Sequence, residues 1–65
     1  MTVEDVQFRV EEIRRMAGDG ESAHGLEDDL WEDVLEAIAG GAENARHLAT
    51  AALCTRSISF SRWYA

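Results

Sequence analysis

Apolar residues recur at spacings of three and four along most of this chain. Val3, Val6, Val10, Ile13 and Ala17 form a first stripe, the pattern of an amphipathic helix that turns one face to a core. The spacing predicts a helix over about residues 2–17. Thr2 with Asp5 three residues on has the form of a capping box, in which the hydroxyl accepts an amide proton and the acid suits the positive end of the helix dipole. Phe8 lies off the stripe and is expected either as an exposed aromatic or as a second packing edge. Gly18-Asp19-Gly20 ends the helix, since Gly past a last turn adopts positive φ cheaply.

A second helix is expected over about 21–39, capped by Asp19 or Ser22. Ala23, Leu26, Leu30, Val34 and Ala37 make one stripe, and Trp31, Leu35 and Ile38 make an adjacent one. So broad a face fits a helix packed by two partners. Gly25 inside it costs about 1 kcal/mol relative to Ala. Gly40-Gly41 stops this helix. Asn44 is the expected cap of a third, over about 45–55, with Leu48, Ala51, Ala52 and Leu53 facing inward. After Thr55 the period changes: Ile58 and Phe60 alternate with Ser57, Ser59 and Ser61. A lone strand makes no sheet, so residues 56–65 are expected as a clasp laid across the helices. The fold class is therefore all-α: a small three-helix bundle with an extended or one-turn C-terminal segment, one domain over 1–65.

Charge sharpens this picture. The 65 residues carry 13 acids against 6 cations, for a net charge of −7, and every cation is Arg. All the acids lie at or before Glu43, with Arg9, Arg14 and Arg15; the rest of the chain holds Arg46, Arg56 and Arg62 and no acid. Such asymmetry marks either a nucleic-acid-binding tail or a basic element that packs on an acidic one. Phe60, Trp63, Tyr64 and the tail arginines are the residue types that stack on bases and meet phosphates. Yet an acidic body repels the polymer, and three short helices need Ile58, Phe60 and Trp63 to close a core. The tail reads as a clasp, with Arg62 paired to Glu27 or Asp28.

Composition excludes several classes. One Cys gives no intramolecular disulfide. The start, MTVEDVQFRVEE, has no basic region followed by an apolar run and is not expected to act as a signal peptide, and no apolar run reaches the roughly 20 residues of a bilayer span. The expectation is a cytoplasmic protein without a membrane partner. A chain this short has no room for a deep substrate pocket. The glycines read as helix ends, not as a phosphate loop. Cys54 and His47 are two helical turns apart, about 10.5 Å along the axis, beyond nucleophile–base reach. No catalytic residue and no cofactor is assigned.

The strings AHGLEDDLWEDVLEAIAGG, ARHLATAAL and ISFSRWYA resemble a group of small proteins of actinobacteria and their phages. Those sequences similarly run from an AH..ED.L segment through VL.AIA.G to a terminal F.RW.A. The resemblance spans roughly residues 10–65. It implies an actinobacterial or phage source, with the host cytoplasm as location in the latter case, and it implies no activity.

Two constellations remain. His24, Glu27 and Asp28 share a helical face and are residue types that suit Zn, Mn or Fe; equally, they are a first-turn His with acids that pair locally. Asp29, Glu32, Asp33 and Glu36 lie on the face opposite the apolar stripes. They read as a solvated surface, or as a row of carboxylates that imitates DNA phosphates in a basic cleft. The leading expectation is a small acidic interaction or regulatory protein that binds a host protein or a second copy of itself without catalysis. Candidate partner-binding residues are Phe8, Trp31 and Tyr64 and the acids Asp29, Glu32, Asp33 and Glu36, with no direct contact to nucleic acid. The alternative is the acidic mimic; a metal-binding protein using His24, Glu27 and Asp28 stands third.

Overall fold

The computed structural model describes residues 1–62. Three helices, α1 (Val3–Arg15), α2 (Gly20–Ala39) and α3 (Ala45–Leu53), pack pairwise against one another. A single 3-10 turn, η1 (Cys54–Ser57), follows, and residues 58–62 run on without regular structure. Among the described residues there is no strand. The expected bundle with its C-terminal segment is the observed fold.

Each helix end has a chemical cause. The Thr2 capping box is formed in both directions: Thr2 Oγ1 accepts from the Asp5 amide at 3.1 Å, and Asp5 Oδ2 accepts from the Thr2 amide at 2.8 Å. Helix α1 stops two residues short of the sequence expectation. It tapers into i→i+3 turns, in which the Ala17 amide bonds to Arg14 O and the Asp19 amide to Met16 O, so the break needs no positive φ at Gly18. Asp19 caps α2 through the Ser22 amide at 3.2 Å, and the Ser22 hydroxyl donates back to its carboxylate at 2.9 Å. The positive-φ glycine is Gly41, at φ 94°. There the Gly41 amide bonds to Ile38 O and the Ala42 amide to Ala37 O, the paired bonds of a Schellman motif. Asn44 occupies the N-cap of α3 but makes no side-chain capping bond. Its amide instead donates to Met1 O at 3.5 Å and ties the chain start to α3.

The core contains Val6, Val10 and Ile13 of α1, Ala23, Leu30 and Val34 of α2, Leu48 and Ala52 of α3, and Ile58 of the tail. Val3, Ala17, Leu26, Ala37, Ala51 and Phe60 pack around it, partly buried. Leu53 departs from the sequence expectation: it is exposed, and Leu35 is exposed on the outer flank of the broad α2 face. On α3, Leu53 follows Leu48 by five residues, which places it on the far flank of the helix. Leu35 is one residue past buried Val34 and is rotated off the core in the same way. Helix α3, nine residues long and rich in Ala, is too short and too slim to cover both flanks of α2.

Candidate functional site

The uncovered flank of α2 meets α3 in an apolar groove. Trp31, Leu35 and Ile38 of α2 form one wall, and Ala49 and Leu53 of α3 the other. Val34 and Ala52 lie beneath them. The groove has a volume of about 160 Å³. Leu35 keeps 65 % of its surface exposed, Leu53 48 % and Trp31 36 %. Scattered exposed apolar residues are ordinary on a soluble protein, but three large ones around a single groove are the kind of patch that marks a contact surface. The sequence expectation has Trp31 as a candidate for exposure, puts Leu35 beside it on the same broad face with the exposed flank left open, and places Leu53 inward. The signal that could have found both exposed leucines is the run of Ala on α3, which fills too little space to cover a Leu opposite it.

Trp31 is a fixed wall. Its indole Nε1–H donates to Thr55 Oγ1 at 3.1 Å and to Ala52 O at 3.3 Å. Thr55, fully buried in η1, is thus a hub between α2 and the tail. The indole keeps its polar edge bonded while one flank of the ring borders the groove, a common arrangement for a Trp that is partly buried.

Behind this wall lies the clasp. Arg62 pairs with Glu27 through Nε–Oε1 at 2.9 Å and Nη2–Oε2 at 3.0 Å. Nη2 also donates to Thr55 O at 2.8 Å and Ile58 O at 3.2 Å, and the guanidinium sits 3.8 Å from the centroid of the Phe60 ring. A planar, bidentate guanidinium suits this dual task of meeting a carboxylate and gathering carbonyls. The Arg62 hydrogen bonds hold the Glu27 carboxyl below the usual glutamate range; burial opposes that shift, and the Thr55 hydroxyl adds to it. Of the two acids expected for Arg62, Glu27 is the partner. The tail then crosses the start of α2 at Gly20, where an added Cβ would lie 3.1 Å from the Ser61 Cβ. Trp63 and Tyr64, the other aromatic residues of the expected clasp and surface, lie outside the described residues.

The clasp dissolves the His24, Glu27, Asp28 constellation. Both Glu27 oxygens are engaged by Arg62, and His24 Nδ1 faces Asp28 Oδ2 at 3.3 Å. Among the described residues no three His, Cys, Asp or Glu side chains converge as a metal-binding group. His47 and Cys54 are both exposed and border a separate furrow between α1 and α3. The Cys54 thiol donates to Thr50 O at 3.6 Å.

The expected acidic face exists as a surface. Asp29, Glu32, Asp33 and Glu36 are all exposed on α2, a helix with seven carboxylates and no Lys or Arg. Asp33 is drawn to one side by Arg9 of α1 at 2.7 Å. Phe8 is exposed on α1 beside Met1, Asp5 and Glu12, remote in sequence and helix from the α2–α3 groove. No helix among the described residues is long and apolar enough to cross a membrane. No protein-family model, curated protein or solved structure matches this chain.

Proposed function

We propose that the protein is a non-catalytic binding module, a small acidic interaction or regulatory protein that recognises a protein partner through the groove between α2 and α3. The observation that carries this reading is the clustering of exposed Trp31, Leu35 and Leu53 around one groove on an otherwise tied-down frame. Apolar side chains held out by a rigid scaffold bind with little ordering cost. The resemblance to small actinobacterial and phage proteins gives such a module a setting, in which a phage or cellular regulator acts on a host protein in the cytoplasm.

The acidic mimic of nucleic acid is the second reading. It is favoured by the carboxylates of α2, whose helix has no cation of its own. Salt separates the two. An apolar groove holds its partner as ionic strength rises, whereas a carboxylate row loses it steeply. The test is an affinity capture with the wild type, Leu35→Glu and Glu32→Gln/Glu36→Gln, washed at low and high salt. The groove reading expects a bound protein that survives high salt and is lost with Leu35→Glu. A DNA-binding protein released by salt, and lost with the Gln pair alone, decides for the mimic.

A further inference from the structure

The groove has room for one large side chain at its deepest point: its volume of about 160 Å³ is close to that of an apolar cavity that admits a benzene ring, about 150 Å³. Along α2 its wall runs from Trp31 to Ile38, a rise of about 10.5 Å at 1.5 Å per residue. Two turns of a second helix match that length, with apolar anchors one turn apart.

Charge defines the edges. On α2, Leu35 is flanked by Glu32 three residues before it and Glu36 directly after. Both are exposed, and neither joins an ion pair among the described residues. The other edge is different. Helix α3 has no acid, and Arg56 in the following turn is exposed and likewise outside every such ion pair. The groove therefore has one acidic edge and one that is neutral to basic.

A second copy of this chain fits poorly. Each copy carries a net charge of −7, and a stable dimer buries about 800 Å² per partner. The patch around Trp31, Leu35 and Leu53 is on the order of a few hundred Å². A single helix needs less area and can supply the missing cations.

Resting on the groove reading above, we infer that the occupant is an amphipathic helix of another protein, with Leu, Phe or Met anchors at i, i+3 or i+4 and i+7, and Lys or Arg along the edge that lies against α2. The cations make the complex one-sided: they face Glu32 and Glu36, and the opposite edge of the helix, which lies against acid-free α3, is uncharged or acidic. This orients the helix in the groove as well as binding it, because a reversed helix brings its cations to α3, which offers them no acid.

The test uses three synthetic 16-residue helical peptides. Two share one Leu stripe, flanked along one edge by Lys or by Glu; the third keeps the Lys and scrambles the stripe. Each is titrated into the isotope-labelled full chain, and the amide and Trp31 indole signals are followed by NMR. The Lys-edged peptide should shift Trp31, Leu35 and Leu53 and bind at least tenfold more tightly than the Glu-edged one. Glu32→Gln/Glu36→Gln should erase that preference, and Leu35→Glu should abolish binding while the spectrum stays folded. The scrambled peptide should leave the groove signals in place. Equal binding of the two striped peptides overturns the basic partner and leaves the groove reading standing. No groove shift with either striped peptide overturns both. A concentration-dependent dimer that Leu35→Glu dissociates makes the occupant a second copy and also overturns the inference.

Discussion

Replacing Arg62 with Ala removes the two bonds to Glu27, the bonds to the Thr55 and Ile58 carbonyls and the stacking on Phe60 in one step. What remains is a carboxylate whose side chain is only 9 % exposed, without its guanidinium partner. Truncating one partner of a buried pair costs about 3–5 kcal/mol. The Arg62 side chain is 34 % exposed, so water reaches the vacated space and the cost falls to about 2–3 kcal/mol. A domain of this size has roughly 3–10 kcal/mol of stability in total. At about 4–8 °C per kcal/mol, Arg62→Ala should lower Tm by roughly 10–20 °C, read by circular dichroism at 222 nm. Glu27→Gln in the Arg62→Ala background should recover part of that loss, because it removes the unpaired charge. The pH dependence has a definite sign. The folded-state pKa of Glu27 is depressed, so its contribution is present at neutral pH and is lost as pH falls through and below the usual glutamate range. The gap between wild type and Arg62→Ala should therefore narrow on acidification. A Tm change under about 3 °C, or strict additivity of the two substitutions, refutes the clasp as a stabilising unit.

The remaining predictions concern packing and backbone. Leu30→Ala, at a fully buried position, should cost about 3 kcal/mol, whereas Leu35→Ala should stay within about 0.5 kcal/mol; chemical denaturation measures both, and a large loss at Leu35 would contradict its exposure. Gly25→Ala meets open space and should stabilise by about 0.5–1 kcal/mol through helix propensity. Gly20→Ala brings a methyl to 3.1 Å from the Ser61 Cβ and should lower Tm, since at the first residue of α2 the interior propensity gain is not there to offset the clash. Thr2→Ala should cost about 1 kcal/mol by opening the capping box, and amide exchange should speed up at the start of α1 and nowhere else in that helix.

Most of the fold was legible because its causes are local. The three- and four-residue spacing of Val6, Val10 and Ile13 fixed the core face of α1, and the Thr2–Asp5 and Asp19 caps could be read from residue type alone. Charge asymmetry and the need to close a small core placed Arg62 near Glu27 or Asp28, and only the packed tail selects Glu27. The exposure of Leu53, and which flank of α2 stays open at Leu35, escaped because burial of a flank depends on the length and bulk of the neighbouring helix, which no periodicity within α2 reports. Asn44 escaped because Met1 O, far away in sequence, competes for its side chain. Gly18 had the composition of a positive-φ stop, but consecutive i→i+3 turns made the same break. The acidic surface of α2 was readable as a surface. Its relation to the groove was not, since the groove exists only once α3 is docked.

The Arg62–Glu27 bridge joins residues 35 positions apart, a separation that the α1–α3 packing already exceeds where Asn44 meets Met1, 43 positions away. What sets the bridge apart is that Arg62 also gathers the Thr55 and Ile58 carbonyls, which converge only once η1 is seated on the helices. The helices can collapse first, with the tail seating on a nearly finished bundle. Disruption of the bridge should then register on the unfolding limb of a chevron and leave the folding rate almost unchanged. The clasp would thus act as a kinetic lock, slowing escape from the native state more than it hastens arrival.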